Sequence, residues 1–425
     1  MKKILKATAL SLSAALLLTA CAAPGGSGPA PIPGEPTAVL ANTDGRLTAQ
    51  GSGTHEPDSE LALSIGRFGL DLYRSLYTPD ENLIISPLSL YTALAMLYSG
   101  TDGQSAQQLA DAMYIPGGDF HAAMRELQLY LLAPRDDTQL LTANSVWLRD
   151  SFAGDVNQSF LDNNAANYAA RIEALDFDNP AAKDAINGWV EKNTNGLIQK
   201  VIKNDIDPAI MLYLINTVYF KAKWATPFKS GATHKGNFNT PAGVVQADMM
   251  NLRTQLVSYE DENLQAAVLP YTDGKTSMLV VLPKNLDDFV KSFKAEALLP
   301  LMAKMKSQEV LLTMPKVDTS TKLAPIDALA ALGVTDIFDP ATADLTALSP
   351  KAKALGLHVG EISHQTVLKI DEEGTEAAAV TVVAPEATSA PIDQMVMTVD
   401  RPYFVAVVDH QAGVLFAGSI VDPTK

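Results

Sequence analysis

The strongest constraint on the fold is the length of chain that has to pack together. Residues 58–425 contain no second linker, no internal repeat and no low-complexity tract, and helix-like and strand-like segments are mixed throughout. Single hydrophobic cores rarely extend beyond about 250–300 residues, so this stretch is large for one domain. Because 47% of the residues are hydrophobic, the chain has enough apolar surface for a substantial core. We therefore expect one large domain of mixed helices and strands over residues 58–425.

Local patterns predict several elements of this domain. Ser86-Pro87 is typical of a helix start, because Ser caps free amides and Pro suits the first helical position, and Gly100 reads as the end of that helix. The apolar run 278–282 indicates a strand buried on both faces. Two apolar segments around the polar residues 409–413 predict a hairpin near the C-terminus. An earlier amphipathic helix is predicted by apolar residues spaced three or four apart, namely Leu61, Ile65, Phe68, Leu72 and Leu76.

Residues 1–57 precede this domain and resemble a targeting segment. A basic start leads into the apolar run Ala7–Ala20, which is too short to span a membrane. The next residue, Cys21, is the only cysteine, and Leu-Thr-Ala-Cys resembles the lipobox of bacterial lipoproteins. We predict a lipoprotein signal peptide over residues 1–20, lipidation of Cys21, and a flexible Gly/Pro-rich spacer over residues 21–57. The alternative is ordinary cleavage and secretion, with an incidental cysteine.

Composition and missing motifs exclude several classes of function. The 48 acidic and 32 basic side chains give a net charge of −16, which argues against a nucleic-acid partner. One cysteine excludes disulfides within the chain, Cys₄ zinc sites and iron–sulfur clusters. Gly-rich phosphate loops, the Gly-x-Gly-x-x-Gly and His-Glu-x-x-His motifs and the Gly-x-Ser-x-Gly elbow are missing, and the six His are scattered. We expect no cofactor, no metal and no enzymatic activity.

The most unusual segment lies between residues 371 and 391. A strand-like stretch, 366–370, is followed by Asp-Glu-Glu-Gly-Thr-Glu-Ala-Ala-Ala and then by a Pro-containing stretch that reads as an exposed loop. Polar loops are normally rich in Gly, Asn and Ser, whereas this one is rich in Ala, Val and Thr. One interpretation is an ordinary strand over residues 375–384 with a Pro-rich turn after it.

A second interpretation fits better, because this segment resembles the hinge and reactive-centre loop of serpins. Further serpin-like motifs occur in the family's order over nearly the whole chain after the spacer, at 82–89, 144–147, 189–198, 214–224, 268–271, 314–316 and 400–418. The resemblance implies an α+β, serpin-like fold with three β-sheets, about nine surrounding helices and an exposed reactive-centre loop. It also implies an endopeptidase inhibitor that acts as a suicide substrate, in which the cleaved loop inserts into a sheet as a new strand and traps the acyl-enzyme.

The resemblance assigns the hinge of the loop to Glu373, Gly374, Thr375, Glu376, Ala377, Ala378 and Ala379. Alternate residues of a strand share one face. Glu376 should stay in water, so the other face is the one that enters the core. That inward set contains only small or β-branched residues: Thr375, Ala377, Ala379, Thr381 and Val383.

By the same resemblance, a polar "shutter" cluster lies beneath the central strands and a "breach" residue lies where insertion begins. Ser86, Ser89, Asn216 and His364 match the shutter, and Trp224 matches the breach. The plainer interpretation is a capping Ser, satisfied buried polar groups and a core Trp.

The family's usual spacing from Gly374 places the reactive bond at Thr388-Ser389, whereas counting back from the C-terminal motif places it nearer Ala390-Pro391. Small residues at this bond favour elastase-like or subtilisin-like serine proteases as partners, with papain-like cysteine proteases as a second class. The leading hypothesis is therefore a monomeric serpin, lipid-anchored on the extracellular face of a bacterial membrane. The alternatives are a non-inhibitory serpin cleaved only as a substrate, and a solute-binding surface lipoprotein.

Overall fold

Two hydrogen-bonded strand networks form the framework of the described residues in this computed structural model. The structure describes residues 38–41, 55–292, 301–360, 362–375 and 394–425. All of them belong to one compact unit that extends from Pro33 to Lys425. Several predicted features lie outside the described residues: the signal peptide, Cys21, Glu376, Ala377, Ala378, Ala379, Thr388 and Ser389.

Ten α-helices have both ends in the described part of the chain. They are α1 (Ser59–Leu76), α2 (Pro87–Tyr98), α3 (Gly103–Ala112), α4 (Phe120–Leu132), α5 (Asp150–Ala153), α6 (Gln158–Tyr168), α7 (Pro180–Asn193), α8 (Leu286–Ser292), α9 (Ile326–Ala331) and α10 (Ala352–Leu355). Short 3₁₀ turns cover Ser230–Ala232 and Asp336–Phe338.

Sixteen strands are described in the same ranges. They are β1 (Ala38–Ala41), β2 (Leu83–Ile85), β3 (Thr138–Arg149), β4 (Arg171–Leu175), β5 (Leu212–Lys223), β6 (His234–Thr240), β7 (Gly243–Glu260), β8 (Leu264–Pro270), β9 (Thr276–Pro283), β10 (Lys306–Pro315), β11 (Val317–Leu323), β12 (His364–Ile370), β13 (Gly374–Thr375), β14 (Gln394–Thr398), β15 (Tyr403–Asp409) and β16 (Gly413–Ile420).

The strands form a seven-stranded sheet and a nine-stranded network. The order in the first is β1-β4-β3-β5-β13-β12-β11; the second follows β14-β10-β7-β8-β9-β15-β16-β2, with β6 paired to β7. The predicted α+β class is therefore confirmed. The expected three sheets appear as two networks because the 18-residue β7 pairs with β6, β10 and β8, and so joins two sheets into one.

The local sequence patterns correctly predicted several of these elements. In α1, the side chains of Leu61, Ile65, Phe68 and Leu72 are buried, because they form one face of the helix. The Ser86 hydroxyl caps α2 by accepting a hydrogen bond from the backbone N–H of Ser89. Every residue of β9 is buried, and β15 and β16 form the predicted hairpin. The main core lies between the sheets and beneath α1 to α4.

One part of the predicted spacer is strand. β1 pairs antiparallel with β4 at the edge of the seven-stranded sheet, with Ala38 opposite Ala174 and Val39 opposite Glu173. An uncovered sheet edge presents unpaired backbone groups that readily accept another strand. Residues 38–41, which lie within the predicted spacer, are therefore part of the sheet in this structure.

A buried charge cluster joins the start of β3 to two turns of the second network. The Arg135 Nη1 atom lies 2.6 Å from Asp409 Oδ2 and 3.6 Å from Asp273 Oδ2, and the arginine and both aspartates are almost fully buried. Each aspartate also accepts backbone N–H groups of its own turn. Arg135 therefore connects three chain segments through charges that have little access to water.

We expect Asp409→Asn to destabilise the fold by about 3 kcal/mol, because removing one partner leaves a buried guanidinium less compensated. Asparagine keeps the oxygen that accepts the turn's N–H groups, so the loss reports on the ion pair. The measurement is the urea midpoint of unfolding. The control is Asp205→Asn, which breaks the exposed Lys183–Asp205 pair and should change the midpoint little. Equal shifts in both variants would contradict the prediction.

Candidate functional site

The seven-stranded sheet contains a strand position that only two described residues fill. Gly374 of β13 pairs with Lys223 of β5, and Thr375 pairs with Ala222 of β5 and with Ile370 of β12. Beyond Thr375, no ladder among the described strands joins β5 directly to β12. We call this position between β5 and β12 the central slot, and the end of the sheet at Ala222 and Thr375 the hinge end.

Gly374 is required here by the close approach of two backbones. A Cβ atom at this position would lie 2.0 Å from the Ala222 carbonyl oxygen, so no side chain fits without moving β5. The preceding turn is fixed by Asp371, whose carboxylate accepts the backbone N–H groups of Glu373 and Gly374. The turn and the glycine together aim the chain into the central slot.

Thr375 faces the interior and is 3% exposed. Its hydroxyl lies 2.6 Å from the Tyr271 hydroxyl, and Tyr271 stacks on Trp224 with ring centroids 4.6 Å apart. Burial raises the pKa of Tyr271 far above its usual value, so its hydroxyl keeps its proton. Trp224 also holds the turn, since its indole N–H donates to the Asp371 carbonyl and its backbone N–H to the Glu373 carbonyl.

The segment before the hinge is held by an ion pair. The Glu372 Oε2 atom lies 2.8 Å from Lys316 Nζ, and the Glu372 Oε1 atom accepts a hydrogen bond of 2.8 Å from the Thr233 hydroxyl. Burial alone would raise the pKa of Glu372, but these two partners hold it below its usual range. Glu372 is therefore ionised at neutral pH and ties the hinge to the junction of β10 and β11.

Three of the four predicted shutter residues meet on one side of the central slot. The His364 Nε2 atom accepts the backbone N–H of Ser86 at 3.1 Å, and the Ser86 hydroxyl donates to the Leu415 carbonyl. The backbone N–H of Ser89 donates to that same hydroxyl. Burial lowers the pKa of His364 to about 3, so the imidazole is neutral and its Nδ1 atom carries the proton.

The fourth residue, Asn216, belongs to a different network on the other side of the slot. Its amide donates to the Asn144 Oδ1 atom at 2.8 Å, and the Asn144 amide donates to Gln128 and to the Tyr168 carbonyl. The Asn216 Oδ1 atom is buried without a hydrogen-bond partner in the described part of the protein. The predicted four-residue cluster is thus two separate networks in this structure.

These contacts divide the seven-stranded sheet into two halves that meet at the central slot. The β11–β12 half is fixed to β2, because Thr321 accepts the Ile84 N–H and the Thr366 hydroxyl donates to the Ile84 carbonyl. The β4-β3-β5 half is fixed to α4 and α6 through Asn144. Each half therefore has its own support.

The sequence did not identify several residues that contact the hinge or the polar networks beside the slot. Lys316 and Tyr271 fall inside motifs used for the family resemblance, but nothing in their local pattern indicates a contact with Glu372 or Thr375. Gln128 and Thr233 carry no motif signal at all. These contacts join residues far apart in sequence, and an alignment showing paired changes is the kind of information that could have found them.

Two further searches concern the described residues only. No group of three or more His, Cys, Asp or Glu side chains there is arranged to hold a metal ion. Among those residues there is also no helix with the length and apolarity needed to cross a membrane.

Comparison with known proteins matches most of the chain to one family. Residues 63–423 match the family model for "Serpin (serine protease inhibitor)". The chain is 30% identical over 382 residues to Iripin-5 of Ixodes ricinus, covering 85% of this chain and 95% of that protein. It is also 30% identical over 369 residues to the plasma serine protease inhibitor of Bos taurus, covering 84% and 89%. The crystal structure of the thermophilic serpin tengpin in its native state superposes with a TM-score of 0.78 at 29% identity, covering 91% of this chain and 99% of that one.

We expect His364 to make the fold less stable in acid. Its pKa is about 3 in the folded chain and near 6.5 when unfolded, so only the unfolded state takes up a proton between these values. The contribution of His364 is complete above about pH 6.5 and falls by about 1.4 kcal/mol for each pH unit below that. Urea unfolding at a series of pH values measures the slope. His364→Gln should lack this component, and its stability at pH 8 gives the cost of the lost contacts separately. An unchanged slope would contradict the assignment.

Proposed function

The chain belongs to the serpin family, and from that premise we propose that it inhibits proteases by loop cleavage and strand insertion. Proteins of this family are named as serine protease inhibitors, and they are not enzymes. In the proposed reaction, a target protease attacks a bond of the exposed loop and forms an acyl-enzyme. The freed arm of the loop then enters the central slot, and the protease is carried along before it can complete hydrolysis.

The observation that carries this proposal is the position of β13 between β5 and β12. Insertion requires a strand position with a hydrogen-bonding edge on each side, and the hinge must already point into it. Gly374 and Thr375 meet both requirements. If each inserted residue gains about 1 kcal/mol net from backbone hydrogen bonds, ten residues supply roughly 10 kcal/mol, which is comparable to the stability of an ordinary domain. The uncleaved fold is then held by a barrier.

The division of the sheet supports a simple way to open the slot. The hydrogen bonds described above hold the β4-β3-β5 half to α4 and α6, and the β11–β12 half to β2 and Ser86. They can therefore separate by sliding without breaking the networks inside either half. Interfaces that slide between two packed arrangements are a recurrent basis of large conformational changes, and loop insertion in serpins is one such change.

We further propose Thr388-Ser389 as the reactive bond and an elastase-like or subtilisin-like serine protease as the partner. Between Gly374 and Asp400 the sequence has no Lys, Arg, Phe, Tyr or Trp, so an acidic or large aromatic specificity pocket would find no anchor. Pro385 cannot donate to a sheet, so it sets the expected end of the inserted strand. Papain-like cysteine proteases are the second class to test.

The proposed setting is the extracellular face of a bacterial membrane, with the chain as a monomer held by a lipid on Cys21. The support is the lipobox-like Leu-Thr-Ala-Cys, which contains the only cysteine of the sequence. The net charge of −16 disfavours attraction to acidic lipid head groups, so the lipid itself would provide the attachment.

The deciding experiment mixes the protein with an elastase-like protease and resolves the products on a denaturing gel. An SDS-resistant band at the summed mass supports trapping. Thr375→Arg should abolish this band while leaving cleavage intact, because it places a charge on a side chain that is 3% exposed inside the slot. Thr375→Ser, which keeps a small hydroxyl at that position, is the control and should still form the complex.

Other outcomes select the alternatives. Cleavage products without complex, and no rise in melting temperature after nicking, would indicate a serpin that is only a substrate. Resistance to cleavage combined with stabilisation by a small solute would favour a solute-binding lipoprotein.

A further inference from the structure

The side of β4 that faces away from β3 is well suited to accept another strand. The last four of its five residues are buried, and its ladder with β3 runs without a break from Ser145 opposite Arg171 to Arg149 opposite Leu175. Backbone N–H and C=O groups alternate between the two sides of a strand, so about half of those in β4 face away from β3. A regular, apolar edge of this kind is a template through which two sheets can join.

The strand β1 covers this edge and replaces it with a poorer template. β1 has four residues, and its register against β4 shifts between Val39 and Ala41. Short edge strands and bulges are two of the means by which proteins keep a sheet from pairing further. With β1 in place, the sheet therefore ends on a short, irregular strand instead of on the regular β4.

Without β1, the edges of β4 from two copies are complementary to each other. In an antiparallel pair with Ile172 opposite its counterpart, Arg171 of each copy lies opposite Glu173 of the other. Alternate residues share one face, and opposite charges across antiparallel strands stabilise the pair. A twofold-symmetric pair also leaves neither β4 edge open, so association stops at a dimer.

The contacts of Arg171 leave room for a second carboxylate. The Arg171 Nη2 atom forms an ion pair with the Glu173 Oε1 atom of its own chain. The Arg171 Nε atom is buried and has no hydrogen-bond partner among the described residues. Guanidinium groups have donors enough for more than one carboxylate. The Glu173 carboxylate of a second copy would give this nitrogen an acceptor.

We propose that the outer edge of β4 is a docking site for a second copy of this chain and that β1 is an edge guard, which occupies this site and keeps the chain monomeric. The inference rests on the backbone pairing of β1, β4 and β3 and on the charges of Arg171 and Glu173. It depends neither on lipidation of Cys21 nor on protease inhibition.

The test removes the guard and measures the mass of the protein in solution. The protein begins at residue 22, so that no lipid contributes to association; it keeps the whole compact unit from Pro33 onward. Val39→Pro combined with Leu40→Pro removes whichever of two successive N–H donors faces β4. We expect the mass in analytical ultracentrifugation to double with rising concentration. The control, Val39→Thr with Leu40→Thr, keeps both N–H groups and should stay monomeric, as should the unsubstituted protein.

Hydrogen exchange of the backbone amides of residues 171–175 locates the contact. In the diluted proline variant, the amides that faced β1 should exchange faster, and dimer formation should protect them again. The amides of β9, which is buried throughout, report that the variant is folded. The amides of β11, at the opposite edge of the sheet, should exchange equally in monomer and dimer.

The charge of Arg171 tests the register of the dimer. In the proline variant, Arg171→Glu brings like charges together and should weaken the dimer at least about tenfold, whereas Arg171→Lys should preserve it. A peptide of residues 37–42 added to the proline variant should dissociate the dimer, and the same peptide with prolines at positions 39 and 40 should not.

Four results would overturn the inference. They are a proline variant that stays monomeric at every concentration, a dimer of the unsubstituted protein, a dimer that protects the edges of the central slot instead of residues 171–175, and a dimer whose affinity is unchanged by Arg171→Glu.

Discussion

Backbone hydrogen bonding at the central slot is the constraint on which the rest of the structure depends. The outer edges of β5 and β12 are satisfied by β3 and β11. Their facing edges share only the two residues of β13. Backbone N–H and C=O groups inside a protein are costly to leave unpaired, so a full strand in this position would lower the free energy. Among the described strands of this sheet, the hinge points into the position where a full strand would gain hydrogen-bond partners on both sides.

The polar contacts around the slot form two separate networks, one on each side. Ser86 and His364 form a network on the β12 side, and Asn144 and Asn216 form another on the β5 side. An apolar seam would lose its packing when the two halves separate. Two separate polar networks lose little, because their hydrogen bonds run within each half rather than across the slot. The unpartnered Asn216 oxygen is consistent with this, since it belongs to a network that stops at the slot.

The sequence predicted the features that depend on local rules. The apolar stripe of α1, the Ser86 cap, the fully buried β9 and the terminal hairpin all follow from side-chain period, capping and turn chemistry. The alternation argument that assigned an inward face to Thr375 agrees with its burial. The joining of two sheets through β7 could not be predicted, because periodicity identifies a strand but not the strands with which it pairs.

The features that the sequence did not reveal depend on which distant segments meet. Asn216 and His364 lie on strands flanking the same slot, yet they bond to different neighbours because the slot separates them. The strand β1 was not recognised within the predicted spacer, because four residues of Ala, Val and Leu are too few to show a strand period. These residues pair with β4 because its edge would otherwise be uncovered. The Arg135 cluster gathers three segments whose charges look like ordinary surface charges in the sequence.

The position of β1 extends the half of the seven-stranded sheet that contains β5. β1 pairs with β4, β4 with β3, and β3 with β5, so the N-terminal segment is attached to the half of the sheet that borders the slot from the β5 side. The β11–β12 half has no such connection, since it is held by β2. If the halves separate as proposed, β1 must move with β5 relative to β12. The β11–β12 half would then be displaced together with its β2 support.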